Sequence, residues 1–457
     1  MITDDPKPTA TARLSRKAVT QYAVGSLGTG GFATLPGLVL LYYMTDSLGI
    51  AAFAAGLIIT AAKVWDVLID PIIGARSDHQ LGSTGSRRRY MVLGGVLLPV
   101  FFVLTFAVPT GMPPALAGAW VLVSFILAAT AFSLFQVPYI ALPAELSGRY
   151  DERTRLLTWR VVVLTFAILL FGAGGPELRT LGGGSESYTG YLLMAAVAGA
   201  VIGVGMLISS RVAPHNTDFA YVARRVSIVE NYAAGIRALK RSQPFRVLLL
   251  TFLLQGLATG LMLAGAQYVA TWVLRSEGAV TLLFLALIAP ALLAAPLWGV
   301  VARRIGKERA FTIASIVFGV AALALIGLVW APGAWVYLPV AAAGAAYAGM
   351  QSLPMAMLPD VISHDAARNG DGQAGIFGGV WTAGETTGMA FGATVLSIVL
   401  AVTGYVATTG VELVEQPAAA VAGIAISFSV VPAALIGVSL LCLARYRLRR
   451  ADIDVVS

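Results

Sequence analysis

The chain has 457 residues, 58% of them hydrophobic and only 12% charged, with 31 Lys or Arg, 23 Asp or Glu and a formal charge of +8. A mean hydropathy of +0.82, with about half the usual charged share, excludes a water-soluble enzyme, because so few charges cannot coat a chain of this length. One cysteine and three histidines exclude a disulfide scaffold and a zinc cluster, and basic residues spread between apolar spans speak against a nucleic-acid partner.

Residues 1–19 form a polar tail with Lys7, Arg13, Arg16 and Lys17 and show no secretory signal. Apolar stretches then follow at about 20–46, 50–76, 89–109, 114–142, 156–177 and 188–210. A polar stretch at 211–244 separates them from six more, at about 245–275, 278–302, 309–330, 333–358, 374–403 and 418–444. Each is long enough for a helix to cross the hydrocarbon, which takes roughly 20 apolar residues. The pattern predicts an all-α polytopic membrane protein with 12 transmembrane helices. They form a first six-helix bundle at 20–210, a linker at 211–244 and a second bundle at 245–444, with a tail at 445–457. Within the linker, Val222 to Leu239 reads either as an amphipathic surface helix or as a plain connector.

Lys and Arg fix the expected orientation. With both termini inside, the cytoplasmic loops carry almost all of them, and the opposite side carries only Arg179 and Arg275. This composition places the chain in a cell membrane, the bacterial inner membrane being the expected one, as a monomer within the lipid bilayer.

The halves repeat weakly. Gln136–Glu145 reads QVPYIALPAE and Gln351–Asp360 reads QSLPMAMLPD, an offset of 216 residues that superposes Pro138 on Pro354 and Pro143 on Pro359. Gly74 with Asp78 similarly faces Gly299 with Arg303, Arg304 and Gly306. Two related bundles predict a transporter that rocks around a site near the midplane, not an enzyme. Pro138 is expected to interrupt the fourth span and free carbonyls there.

Few ionisable groups lie inside the spans, and they cluster. Lys63, Asp66 and Asp70, spaced three and four apart, share one face of the second helix. Charges at membrane depth are costly and mark pathways or relays. Two carboxylates one turn apart need Lys63 plus either a cation or a proton between them, which is the chemistry of cation coupling; a fixed salt bridge holding helices together is the alternative. Ser133 can complete the shell or bond its own helix carbonyl. Glu385, in the eleventh span, needs a partner across a cavity, and Lys63 is the candidate; a latch between halves is the alternative. Trp381, one turn away, can stack on a substrate or pack in the core. Gln136, Gly30 and Arg160 complete the expected substrate cavity. No cofactor is expected.

Trp65-Asp66-Val67-Leu68-Ile69-Asp70-Pro71-Ile72-Ile73-Gly74 with Asp78 resembles the signature of the glycoside–pentoside–hexuronide:cation symporters, a branch of the major facilitator superfamily. Tyr43-Met44-Thr45-Asp46, Val137 to Glu145, Asp151 to Thr154 through Arg160, and Leu358-Pro359-Asp360 extend the resemblance over about residues 20–400. It implies the major facilitator fold and symport of a small organic solute, such as a sugar or glycoside, with sodium or a proton. In the melibiose-permease-like members, acids matching Asp66 and Asp70 bind the cation, a threonine stands at the place of Ser133 and an arginine at that of Lys63. Their sugar-holding acids match Gly30 and Gln136, and their lysine in the eleventh helix matches Glu385, so this chain departs from them in the sugar site. An amphipathic, zwitterionic or lipid-like solute, imported or exported, is therefore the alternative expectation.

Overall fold

A computed structural model describes residues 14–147, 150–184, 187–214, 228–369, 374–409 and 414–448. Within these, the side chains of a few helical residues, Glu385 among them, lie outside the described set. The helices are α1 (Arg16–Leu40), α2 (Ala52–Thr84), α3 (Arg88–Phe106), α4 (Pro114–Leu146), α5 (Tyr150–Leu181) and α6 (Tyr188–Ser210). After these come α7 (Ile228–Arg241), α8 (Gln243–Val273), α9 (Ala279–Ile305), α10 (Lys307–Val329), α11 (Tyr337–Asn369), α12 (Ala374–Val402) and α13 (Ala418–Leu443). Among the described residues, ten helices are long and apolar enough to cross a membrane: α1 to α6, α8 to α10 and α13. In α12 the apolar run is the shorter Thr387–Val402, and α11 is diluted by Gln351, Ser352 and Asp360.

Helices α1 to α6 pack on one another, and α7 to α13 pack on one another. The two groups meet where α2 lies on α12, α5 on α9 and α1 on α8. We call the end where α1 begins and α7 lies the tail end, and the opposite end the far end. The linker helix belongs to the second group: α7 packs on α8 and α12, and Arg241 pairs with Asp365 of α11 at 2.5 Å. Val222–Ser227, the start of the surface helix read from the sequence, lies outside the described residues.

An internal repeat is visible in the backbone. The Leu48 N–H donates to the Tyr43 carbonyl and that of Ile50 to Met44, while Leu274 donates to Val269 and Ser276 to Ala270. Both sets close a wide π-type turn, at Tyr43–Ser47 and at Val269–Val273.

Pro138 does not interrupt its helix. The fourth helix runs unbroken from Pro114 to Leu146 through Pro138 and Pro143. A helix clasped by neighbours loses one backbone bond at each proline and keeps its course, and α4 is so clasped between α2 and α3.

Small residues set the closest approaches, as expected where dispersion rather than water drives helices together. A β-carbon on Gly94 of α3 would strike the Ala131 carbonyl at 2.6 Å and the Phe135 nitrogen at 2.7 Å. Gly392 of α12 lies against the backbone of Gly260 and Leu261 on α8. Gly392→Leu should therefore push α12 off α8, costing about 1–3 kcal/mol and lowering the thermal unfolding midpoint in detergent. Gly379→Leu on the same helix, where nothing lies within 4 Å of the added carbon, should leave that midpoint unchanged.

Candidate functional site

The helical spacing of α2 brings three charged groups onto one strip. Lys63 Nζ donates to Asp66 Oδ2 at 3.2 Å. Asp66 is buried. Asp66 Oδ1 and Asp70 Oδ1 are both buried without a hydrogen-bond partner, and the Ser133 side chain of α4 lies beside the Asp70 carboxylate. The strip thus brings together all four residues expected to bind the coupling ion. An orphaned carboxylate oxygen away from water costs at least 1–3 kcal/mol, so two of them one turn apart create demand for a cation. Carboxylates and a hydroxyl are hard oxygen donors, suited to a hard cation or a proton. Trp65, on a different face of α2, ties that helix to α4 by donating its indole N–H to Thr130 Oγ1 at 2.9 Å.

The residues expected to line the substrate cavity are dispersed. Gln136 Oε1 accepts from Thr29 Oγ1 at 2.7 Å, so it faces α1. Gly30 touches α5, where an added β-carbon would meet the Ala167 side chain at 2.7 Å. Arg160 of α5 lies over the Tyr139 ring, 5.5 Å from its centroid, and its Nε is buried without a partner. Tyr139 in turn bonds Ser26 and the Tyr22 carbonyl, each at 3.0 Å. Arg160 is thus a polar centre inside the first group, set against Tyr139, which lies one turn after Gln136 on α4. Trp381 is buried and stacked on Phe252, centroids 4.5 Å apart, within the second group. Glu385 is on α12, one turn from Trp381, and its pairing with Lys63 lies outside the described residues.

Between the two groups, α2 and α12 touch near the far end. Gly56 packs against Ser397, and the Thr60 and Thr394 hydroxyls bond at 2.6 Å. One turn closer to the tail end, a gap of about 260 Å³ opens between them, lined by Lys63, Val64, Leu68, Thr387, Ala390 and Phe391. Lys63 therefore reaches both the carboxylate strip and the seam between the groups.

The far end is sealed by hydroxyls gathered on one buried acid. Asp46 Oδ1 accepts from the Tyr405 hydroxyl at 2.6 Å, and Asp46 Oδ2 accepts from Thr45. Thr45 Oγ1 also bonds the Tyr268 hydroxyl at 2.7 Å, and Thr408 closes the knot through the Thr45 and Asp46 carbonyls at 2.8 and 2.9 Å. Nearby, the fully buried Arg179 donates to Gln267 Oε1 at 3.0 Å. Each of these bonds except Thr45–Asp46 joins the first group to the second.

At the tail end of the first group, Arg87 pairs with both Asp78 and Glu145 at 2.5 Å. Burial raises the Glu145 carboxyl above its ordinary value, with Arg87 opposing the shift. Among the described residues, no group of three or more His, Cys, Asp or Glu side chains is placed to hold a metal ion.

The family profile described as MFS/sugar transport protein matches residues 21–450. The chain belongs to this family. It is a sugar- and glycoside-related symporter family of the major facilitator superfamily, whose members are transporters rather than enzymes. The "Glucuronide carrier protein homolog" of Escherichia coli (strain K12) is 25% identical over 427 residues, covering 92% of this chain and 90% of its own. The "Sodium-dependent lysophosphatidylcholine symporter 1" of Mus musculus is 24% identical over 370 residues, covering 75% and 69%. With two other relatives, at 31% identity, the match spans about a third of their length, 31% and 33%. The crystal structure of a D-xylose–proton symporter superposes with a TM-score of 0.68 at 14% identity, covering 95% of this chain and 98% of that one, which shows the shared fold.

For a member of this family, the far-end knot is the part that sequence reasoning passed over. Asp46 stood in a motif already singled out, but nothing in the order of residues pointed to Tyr405 as its partner or to Tyr268 as that of Thr45. Tyr405→Phe removes one charge-assisted hydrogen bond, about 1.5–3 kcal/mol, and should raise the open fraction of the far end roughly tenfold or more. A cysteine replacing Ala270, which is fully buried there, in a Cys442→Ala background should then react with a membrane-impermeant maleimide about that much faster than in the Tyr405-containing protein.

Proposed function

We propose that this chain is a cation-coupled symporter of the glycoside–pentoside–hexuronide kind, melibiose-permease-like, with twelve spans in two six-helix halves and both termini cytoplasmic. Sodium or a proton binds at Asp66 and Asp70 with help from Ser133, and a small sugar or glycoside-type solute binds in the adjoining cavity. Arg160, Gln136, Trp381 and Glu385 are proposed to serve that solute. The halves then rock, opening the far end that the Asp46 knot now holds closed.

One observation carries the reading. Lys63 and Asp66 form an ion pair, which leaves Asp70 as the surplus charge, and both acids keep a buried oxygen without a partner. A single monovalent cation, or one proton, neutralises the set. The strip is then cheapest to carry across the hydrocarbon when loaded, since an uncompensated carboxylate at that depth costs about 3 kcal/mol. Solute that closes the cavity over the strip favours the loaded form, and by linkage the cation tightens solute binding by the same factor.

A second reading, an amphipathic solute, is favoured by the gap between α2 and α12. It offers one ammonium group, Lys63, beside a mostly apolar wall of Val64, Leu68, Ala390 and Phe391. That is a slot for a charged head and an apolar chain.

Both readings are tested by purified protein in sealed liposomes with an imposed sodium or proton gradient. Radiolabelled methyl glucuronide and lysophosphatidylcholine serve as the two solute probes. The expected outcome is gradient-driven accumulation of the glucuronide, falling to the no-gradient rate in Asp66→Asn and Asp70→Asn while solute exchange persists. Accumulation of the lysolipid alone selects the second reading. Unaltered coupling in both Asn variants overturns the assignment of the strip.

A further inference from the structure

A cavity of about 920 Å³ lies at the tail end of the second group, between α9, the start of α10, α11 and the segment after α13. Its wall is apolar and small: Ala295, Gly299 and Ala302 of α9 face Leu353 and Met357 of α11. Its mouth is basic. Arg303, Arg304, Lys307 and Arg309 stand there with Glu308 and Asp360, four basic side chains against two acidic. Lys307 is taken up, donating to Asp360 Oδ2 at 2.5 Å and to the Ala356 carbonyl at 2.9 Å. Among the described residues, no carboxylate pairs with Arg303, Arg304 or Arg309.

The internal repeat explains where this surplus comes from. In the first group, the residue four after Gly74 is Asp78, and Arg87 is held between Asp78 and Glu145. In the second group, Lys307 with Asp360 plays the part of Arg87 with Glu145, but the residue four after Gly299 is Arg303. An acid that closes the first site is replaced by a base in the second. The same scaffold is internally neutralised in one copy and left open to an anion in the other.

The depth of the site narrows the anion. Arg303 and Arg304 end one membrane-length helix, Ala279–Ile305, and Lys307 begins the next, Lys307–Val329. The guanidinium groups therefore lie where the hydrocarbon gives way to headgroups. Above them the cavity wall of α9 continues through Ala302, Gly299 and Ala295, spaced three and four apart on one helix face. From Ala295 to Arg303 is about 12 Å of helix at 1.5 Å per residue. We propose that this cavity binds an anionic phospholipid, with its headgroup phosphate on Arg303, Arg304 and Arg309 and acyl chain along the wall of α9. A phosphate at this depth meets fixed positive charge, and basic pockets between spans are suited to such headgroups.

The test is a titration of the full-length protein in non-ionic detergent with dioctanoyl phosphatidylglycerol, read as the shift of its thermal unfolding midpoint. Dioctanoyl phosphatidylcholine and inorganic phosphate are the comparison ligands. Phosphatidylglycerol should stabilise the protein saturably, phosphatidylcholine at least about tenfold more weakly, and phosphate not at all. Replacing Arg303, Arg304 and Arg309 together by Gln should weaken phosphatidylglycerol binding about 100-fold, given about a tenfold or smaller contribution from each basic side chain near an anionic lipid. Gly299→Leu keeps every charge and fills the wall, where only Arg303 lies within 4 Å of the added carbon. It should also abolish saturable binding, and it decides the matter if the triple variant does not fold. Equal stabilisation by phosphate alone would make the site one for a soluble anion and overturn the lipid. Equal stabilisation by phosphatidylcholine, or undiminished phosphatidylglycerol binding in both variants, would overturn the charge recognition itself. The measurement reads binding, so its result is independent of whether the proposed symport is correct.

Discussion

A carboxylate inside the hydrocarbon must be neutralised, and the rest of this structure is arranged around that constraint. Asp66 has Lys63; Asp70 has Ser133 beside it and a bare oxygen. Removing Lys63 would leave two acids one turn apart, and removing Asp66 would leave an ammonium and a carboxylate with no ion required. Only the three together are one charge short of neutral. Under the proposed function, that deficit is what links a cation to a change of shape. The charge is tolerable while the strip is open to water and costly once the cavity closes over it.

The closed far end supplies the opposing side of the balance. The hydrogen bonds of its knot converge on Thr45 and Asp46 of the first group and reach Tyr268, Tyr405 and Thr408 of the second. Hydroxyl-to-carboxylate bonds are individually worth about 1.5–3 kcal/mol, strong enough to hold one state and weak enough for binding energy to reverse. The wide turn at Tyr43–Ser47 carries Thr45 and Asp46, and Tyr268 stands at the start of the one at Val269–Val273. Such π-type turns redirect side chains without ending the helix. Toward the far end of α2 and α12, the Thr60–Thr394 bond marks where contact stops and the gap at Lys63 begins. A hinge near this pair would couple the knot to the carboxylate strip through a single rigid helix, α2.

The apolar spans, ten of them long enough to cross a membrane among the described residues, and the strip on α2 were legible because each rests on a local pattern. Apolar run length gives a span, and spacings of three and four give a shared helix face. Ser133 was reached from the same pattern on α4, aided by resemblance. What escaped was whatever depends on which helices meet. Gly30 reads as cavity lining, yet the structure sets it against Ala167 of α5. Trp381 reads equally as platform or core, and Phe252, 129 positions earlier in the chain, takes its face. Tyr405 lies in a connecting segment with no periodicity at all, and its partner Asp46 is far from it in sequence. Pro138 misled for a related reason: its effect on an isolated helix is local, but its effect here is set by the helices packed around α4.

The repeat within the chain makes the division of labour more than an accident of packing. Two copies of one scaffold begin with the same wide turn, the same pair of backbone bonds and the same glycine four residues before a charged position. They diverge at the charges. The first copy holds the carboxylate strip at mid-depth and an internally neutral Asp78–Arg87–Glu145 set at the tail end. The second has Ala295, Gly299 and Ala302 along the cavity face of α9, and at the tail end an excess of arginine. Charge demand is thus placed at mid-depth in one half and at the membrane surface in the other. A proposed ion from solution answers the first, and a proposed lipid from the bilayer answers the second. If both hold, the two halves answer to separate ligands, one drawn from solution and one from the bilayer.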